Sequence, residues 1–476
     1  MWKNADMLTR IGGLATAILL VALAVGAPAS AAPGDLDPSF GQDGRVQVQT
    51  NPGCLKGCVE FGGSYADALA LQPDGGIVLG GDNDYIGAPV PYSEHMPGAL
   101  VRLLPDGTLD TSFGGAGGIV DTPFEVGRID SDALGRLAVL GGAEGGMLGL
   151  ARYTATGALD GSFAGVLRIP QPRGSQEEQR DAWGRILVLA AATSFKIDVV
   201  RYTAAGALDA SFGRGGNAQL HLPRTRREAA QPPGTLGPPE ATPLAFAIQR
   251  DGSVIVAFAM ASSNPSGSPP YGPRRYFLER LTPAGRVDRA FGRQGIARLP
   301  GSVSTMAVAP NGHILLASAE RPKARQIREG SGLLVRATFE SEELVLAYYT
   351  SAGWPDRSFG KNGAARSWLT AEHLGRVDPR AIAFDAAGDA IVVGELPKRT
   401  VDVPLGTGFI ARYTPHGRDC SFGAGGVVVN DEIGGASAVA VQPNGRIVIA
   451  GWSDKAFMAA RYMGGGTPRT CRGEPH

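Results

Sequence analysis

Short apolar runs separated by glycine turns recur along almost the whole chain. Ala66–Gly81 (ADALALQPDGGIVLGG) is two such runs about Pro73-Asp74-Gly75, and Leu100–Val120 (LVRLLPDGTLDTSFGGAGGIV) is a second pair about Pro105-Asp106-Gly107. Proline presets φ at the first turn position, aspartate tolerates the next and glycine takes the left-handed one, so each stretch predicts a β-hairpin. The first hairpin returns with its turn glycine at Gly75, Gly135, Gly184, Gly252, Gly312, Gly388 and Gly445. The second returns at Gly107, Gly157, Gly206, Gly285, Gly353 and Gly417, with a weaker copy over Ala459–Gly465. A Leu-Asp-x-Ser-Phe-Gly motif recurs with its ring at Phe40, Phe113, Phe163, Phe212, Phe291, Phe359 and Phe422.

One hairpin of each kind makes a unit of four strands, a to d, with strand d carrying Ser-Phe-Gly and the apolar segment after it. Seven such units predict an all-β fold, a seven-bladed β-propeller with four antiparallel strands per blade. The repeat is out of phase with the chain ends: Asp35–Val48 is a lone strand d, and the last unit, Ala438–Met463, has a, b and c but no d. A ring closed by the N-terminal strand completing the last blade satisfies both and leaves no open edge there. Strand a alternates small and large apolar residues, as in Ala68 and Ala70 against Leu69 and Leu71, the pattern of a strand buried on both faces. Two inner strands depart from it. Arg128–Asp132 and Gln176–Asp181 are polar, which reads as drift of the repeat, the other reading being that they carry something.

Arg102, Arg152, Arg201 and Arg280 each precede an aspartate by eight residues (Asp110, Asp160, Asp209, Asp288); the sixth unit keeps Arg412 and Asp419, and the fifth has Tyr348 in place of arginine. Pairs that recur in nearly every unit are structural cross-strand pairs, not a single catalytic centre. The positions where the inner strands open at the ring's mouth, eight before each first-hairpin glycine, are Asp67, Gly127, Gln176, Leu244, Ser304, Arg380 and Ser437. Two charges among seven predict no converging acid–base pair. The stretches LDPSFGQDGRV, ALQPDGGIVLGG and LVRLLPDGTLDTSFGG resemble the delta-60 repeat family of bacterial exported proteins, over essentially all of 35–463. The resemblance implies an exported, repeat-built bacterial protein. It implies no activity, since that family has no defined reaction and no functional residues to carry over.

Lys+Arg and Asp+Glu balance at 45 each, so no global field holds nucleic acid. Residues 1–31 read as a signal peptide: Lys3 and Arg10, the apolar run Ile11–Gly26, then Ala29-Ser30-Ala31. The alternative is an uncleaved anchor. No other segment is long and apolar enough to span a membrane. Residues 32–466 are therefore expected as an exported, periplasmic or extracellular propeller, monomeric, with 467–476 a C-terminal tail. Export makes disulfides the default for Cys54, Cys58, Cys420 and Cys471, with Cys54–Cys58 a small loop bridge and Cys420–Cys471 pinning the tail beside the closure seam. The six histidines lack metal-ligand spacing, and no nucleophile elbow or Cys-x-x-Cys is present. No catalytic residue, metal or cofactor is assigned.

The long segments all join strand b to c or strand d to the next a, so they share one face: Asp82–Gly98, Asn217–Pro243, Ala261–Tyr276, Glu320–Glu343, Arg366–Arg380 and Glu395–Gly408. Loops this long in a compact fold are usually functional or disordered. On one rim of that face the candidate ligand-binding residues are Arg274, Arg275, Arg321, Lys323, Arg325 and Arg328, beside Arg224, Arg226 and Arg227. Guanidinium forks suit carboxylate or phosphate. The expectation is a non-enzymatic binding or scaffolding module whose partner is an anionic glycan or an acidic protein. The alternative is a propeller-based hydrolase or lyase acting on a cell-envelope or extracellular glycan.

Overall fold

Seven antiparallel blades of four principal strands stand in a ring in the computed structural model, which describes residues 31–50, 64–82, 98–115, 117–163, 165–170, 175–193, 196–223, 240–262, 271–321, 325–328, 334–337, 342–369, 376–397, 406–453 and 456–471. The expected signal peptide, apart from its last residue, and Cys54 and Cys58 lie outside the described residues. In the first blade the strands are Tyr65–Leu71, Ile77–Asp82, Gly98–Leu103 and Ile119–Thr122, hydrogen-bonded in chain order. Inner strands of adjacent blades pack against one another around the axis. The seventh blade runs Gly435–Val441, Ile447–Ser453 and Ala456–Tyr462, then takes its outer strand from Arg45–Val48, with Arg45 opposite Ala460 and Val48 opposite Phe457. The ring closes as the chain ends predict. The fifth blade adds a hairpin, Arg325–Arg328 with Leu334–Ala337, between its second and third strands. Among the described residues no helix is long and apolar enough to cross a membrane.

The core lies between blades. Ala68 and Ala70 of the first inner strand pack with Phe124, Val126 and Ile129 at the second blade. On the other side Ala66 and Leu79 pack with Val448 and Phe457 of the seventh. Both faces of the inner strand are buried because each faces a blade, which is why its apolar residues do not alternate with polar ones.

The Ser-Phe-Gly motif is not on the outer strand, as the repeat suggested, but in the turn before it, where it staples one blade to the next. At the seventh-to-first junction Asp37 Oδ1 accepts the backbone N–H and the hydroxyl of Ser39 (3.0 and 2.6 Å), while Oδ2 accepts from Arg461 Nε at 2.8 Å. The same guanidinium lies 4.6 Å from the Phe40 ring centroid and donates to the Pro105 carbonyl of the first blade. Gly41 donates its N–H to Asp106 O at 2.7 Å. Phe40 is wholly buried against the turn glycine Gly107, where φ is +88° and a Cβ would stand 2.8 Å from the ring. That glycine thus serves its own turn and makes room for the neighbouring blade's phenylalanine. Arg201 with Asp209, Phe212 and Pro283 O, and Arg280 with Asp288, Phe291 and Ser351 O, repeat the arrangement. In the fifth blade the Tyr348 ring packs on Phe359 at 5.3 Å, and His313 Nδ1 stands 3.2 Å from Asp356.

The weak hairpin copy over Ala459–Gly465 does not form. The strand ends at Tyr462 and the tail crosses to the sixth blade, where Cys420 donates its N–H to Arg469 O (2.7 Å) and Cys471 donates to Arg418 O (2.9 Å). Arg412 donates to Gly464 O, and Gly423 N–H to Pro33 O at 2.8 Å. Both chain ends therefore stand where a seventh turn would be. Cys420 and Cys471 are disulfide-bonded, their Cα atoms 5.1 Å apart, with Cys420 in the connection before strand Val427–Asn430 and not on it.

Candidate functional site: the mouth of the channel

Each inner strand starts where the previous outer strand returns to the axis, so its first residues lie on the face that carries the long connections. In five blades the ladder slips by one residue there: between Ala66 and Ala68, Ser175 and Glu177, Pro243 and Ala245, Pro379 and Ala381, and Ala436 and Ala438. The residues left outside the ladder are Asp67, Gln176, Leu244, Arg380 and Ser437. A β-bulge of this kind bends the strand and re-aims the extra side chain. Opposite three of the bulges the second strand supplies Gly81, Gly394 and Gly451, where a Cβ would collide with the carbonyl oxygens of Tyr65, Asp378 and Gly435.

The bulges bring together what the sequence kept apart. Asp67, Ser304, Asp378, Pro379, Arg380 and Ser437 line an open recess of about 380 Å³ over the first, fifth, sixth and seventh blades. Asp67 and Arg380, the two charges among those seven positions, thus line one recess. Arg380 Nη2 lies 3.3 Å from Asp378 and 3.0 Å from Glu395. Its guanidinium stands 5.4 Å from the Trp452 ring centroid, and Trp452 meets Tyr65 edge-to-face at 5.4 Å. Tyr65 is 39% exposed, so this wall opens to solvent.

Burial pushes the Asp67 carboxyl above its ordinary range; Ser437 and Arg380 oppose the shift and Glu125 adds to it. The Ser437 hydroxyl acts from nearby without closing a bond, since its Oγ is buried with no partner at hydrogen-bonding distance. Glu395 is likewise raised by burial, with Arg380 opposing and Asp378 reinforcing.

Deeper in the channel, the polar inner strands form as Arg128–Ser131 and Ser175–Arg180. Reading them as drift is corrected by what their side chains do. Glu177 Oε2 accepts the N–H of Phe246 at 3.0 Å, and Gln179 Nε2 donates to the Phe246 carbonyl at 2.6 Å and to Glu177 Oε1 at 2.7 Å. Two side chains thereby act as a short strand against the open edge of the next inner strand. Arg128 pairs with Asp130 at 3.1 Å. Burial works against its charge, but Asp130, Glu177 and Glu178 outweigh that and hold its pKa above the usual value. Burial raises Glu177 and Glu178, with Arg128 pulling both back.

The arginine rim is a separate part of the same face. Arg274 is exposed. Arg321 Nε stands 3.4 Å from Glu342. Nearby, Arg366 joins Glu320 at 2.7 Å and Glu343 at 3.3 Å. Arg275 lies opposite Met260 in the fourth blade; Arg325 and Arg328 lie opposite Ala337 and Leu334 in the inserted hairpin. Lys323, Arg224, Arg226 and Arg227 are outside the described residues. Among the described residues no group of three or more His, Cys, Asp or Glu side chains is placed to hold a metal ion. Sequence reasoning missed Glu125, Glu395, Tyr65 and Trp452. The available signal was the glycine opposite three of the bulges, which marks where the inner strand leaves its ladder.

Fold and site together define a seven-bladed β-propeller with a polar mouth. A family model described as "Domain of unknown function (DUF5122) beta-propeller" matches residues 98–113, the third strand of the first blade and its turn. Among solved structures the chain is similar to a polysaccharide lyase of family PL25, an ulvan lyase (12% identity, 89% of this chain and 98% of that one, TM-score 0.44). It is also similar to the WD40 domain of Toxoplasma gondii coronin (9%, 90% and 89%, TM-score 0.41) and to the β-propeller domain of the Trilobed protease from Pyrococcus furiosus (8%, 87% and 100%, TM-score 0.41). No curated protein matches the sequence.

Proposed function

We propose that the protein is an exported propeller that binds or scaffolds a partner, with no reaction of its own, and that its ligand seats on the long-loop face over the channel mouth. The observation that carries this reading is the set of bulges that turns Asp67, Arg380 and Ser437 out of their ladders and into one open recess. The opposite face is committed to structure, since its turns hold the Arg–Asp–Phe staples between blades. The leader-like segment and the delta-60 resemblance support export and a bacterial origin.

The test fills the mouth. Ser304→Trp and Ser437→Trp place an indole in the recess, while Leu159→Ser alters an exposed residue of the other face. Of a panel of immobilised anionic, neutral and cationic oligosaccharides and peptides, the ligand of the mouth is bound by the parent chain and by Leu159→Ser and is lost with both tryptophan variants. Binding that survives the tryptophans and fails with Leu159→Ser places the ligand on the turn face and refutes the reading. Release of shortened product from a bound glycan points to the lyase or hydrolase alternative. The anionic partner attaches to the Arg274 to Arg328 rim, and loss of anionic binding on replacing Arg274 and Arg275 with alanine is its own check.

A further inference from the structure

We propose that the fifth blade carries a pH-operated clasp: His313 and Asp356 hold the turn that docks on the sixth blade while the imidazole is protonated, and loosen it as the proton leaves.

The repeat shows what is unusual here. Each blade sets an aspartate, three residues before its motif phenylalanine, against a cation. In six blades that cation is an arginine of the third strand: Arg102, Arg152, Arg201, Arg280, Arg412 and Arg461. A guanidinium keeps its charge at any pH a folded protein meets. In the fifth blade Tyr348 stands in that place, and the first-hairpin turn supplies the cation instead, with His313 Nδ1 3.2 Å from Asp356 Oδ2. The same turn position in the seventh blade is Arg446, whose Nε lies 2.7 Å from Asp37 Oδ2, so a side chain there reaches the aspartate. His313 Nδ1 is buried and makes no hydrogen bond of regular geometry, so Asp356 is the group that can compensate its proton.

Asp356 shapes the docking turn. Its Oδ1 accepts the N–H and the hydroxyl of Ser358 (3.0 and 2.6 Å), and its carbonyl accepts the N–H of Phe359 at 3.1 Å. The next residue, Gly360, donates across to His416 O of the sixth blade at 3.1 Å, where Gly41, Gly114, Gly213, Gly292 and Gly423 make the matching bond at 2.7–2.9 Å. At the preceding junction Arg280 also crosses to Ser351 O at 2.7 Å. The Tyr348 hydroxyl is turned to the Asn311 side chain instead. The clasp therefore sits at a junction with less to hold it.

The imidazole is the group there whose charge changes near neutrality. Around it stand Asp356, the Tyr348 ring at 5.4 Å, and Asn311 Oδ1, which accepts the His313 N–H at 3.0 Å. From the fourth blade come Gln249, donating to Gly312 O at 3.4 Å, and Arg280, which is paired with Asp288. Hydrogen bonds from Ser358 hold Asp356 below its ordinary range, with burial opposing and His313 adding, so it stays ionised above about pH 5. Burial holds the Tyr348 phenol above its range, with Asn311 opposing and Asp356 adding. An imidazole changes charge between about pH 5 and 8. The pair is charge-assisted on the acid side of that interval and loses that contribution as pH rises through it.

The experiment follows hydrogen exchange of the full chain from about pH 5.5 to about pH 8. It reads the protection factor of Gly360 against that of Gly292, whose N–H crosses the arginine-held junction to Ala352 O at 2.8 Å. In the parent the ratio falls about threefold as pH rises. His313→Arg keeps it high throughout and His313→Asn keeps it low throughout, with near-ultraviolet circular dichroism showing both folded. His416→Asn, which retains the accepting carbonyl, follows the parent. Should His313→Asn not fold, His313→Arg decides alone. A ratio that does not change with pH in the parent overturns the proposal, as does a change that persists in His313→Arg. Loss of the change in His416→Asn assigns the titration to that residue and overturns it too.

Discussion

Arg461 donates its Nε–H to Asp37 Oδ2 across 2.8 Å, although the two stand 424 positions apart in the sequence. Six junctions of the ring join segments that follow one another along the chain; this one joins its two ends. Both side chains are almost fully buried, at 4% and 2% exposure. Removing Asp37 strands the buried Arg461 charge, a cost of about 3–5 kcal/mol. Asp37→Ala is expected to destabilise the ring by that order, and Arg461→Ala by less, since Arg446 Nε stays 2.7 Å from Asp37 Oδ2. The double variant should cost less than the sum, because the second change removes the stranded charge. Guanidinium chloride unfolding of the four proteins measures this, and strict additivity would show that the pair does not close the ring.

Acid should open the same staples. Hydrogen bonds from Ser112 and Ser211 lead in holding Asp110 and Asp209 below their ordinary range, and Ser358 does so for Asp356. Asp160 is held at about 2, chiefly by Ser162. A carboxyl with a lowered folded pKa stabilises the fold above its unfolded value of about 3.9 and loses that contribution as pH falls through the folded one. The carboxyl contribution of these staples to the thermal midpoint is expected to be flat from pH 7 to about 4 and to fall steeply toward pH 2. Ser112→Ala and Ser162→Ala should lower the midpoint at neutral pH and make the fall toward pH 2 shallower, because the folded pKa then lies nearer the unfolded one, as scanning calorimetry across the range reports.

Glu279 has the opposite sign. It is fully buried between the third and fourth blades, where His221 donates its N–H to both carboxyl oxygens at 3.0 and 3.1 Å. Burial raises its pKa to about 8, with the His221 bond opposing in part. Its stability contribution is complete below the unfolded value of about 4.3 and is lost as pH rises toward the folded one. Glu279→Gln keeps an acceptor for His221 and removes the titration. The variant should gain stability over the parent as pH rises from 5 to 8, with no gain at pH 4. An equal difference at all pH values would assign the effect to packing.

The tail is held by one covalent bond and a short run of backbone pairing. Non-reducing peptide mapping should recover Cys420 joined to Cys471. The bond closes a loop whose ends are 51 residues apart, and Cys471→Ser should lower stability by about 2–4 kcal/mol. Amide exchange in that variant should quicken at Cys420, whose N–H is bonded to Arg469 in the tail. Unchanged exchange there would show that the tail stays docked without its bridge.

The repeat was readable because it is local. A turn at Pro73-Asp74-Gly75 is set by the φ preferences of three residues, and two apolar runs either side set the strands that it joins. Counting hairpins yields the blades, and the phase of the count against the chain ends yields the closure between Arg45–Val48 and Ala456–Tyr462. Even the mouth positions were within reach by counting back to Asp67, Ser304, Arg380 and Ser437.

What those positions meet was decided only by the ring. Seven inner strands converge on one axis, so residues with no shared spacing become neighbours there. Glu125 comes from a connection, while Glu395 and Trp452 stand at one repeated place in their second strands, seven residues after Gly388 and Gly445, but with side chains too unlike to mark it. The same holds for Glu177 and Gln179, polar residues that look wrong in a buried strand until Phe246 of the next blade presents its open backbone edge to them. Local periodicity fixes which residues form a strand and which face each takes. The partner of a side chain at the axis depends on how the bulges bend each strand and on which blade stands beside it, and that is settled only when the ring closes.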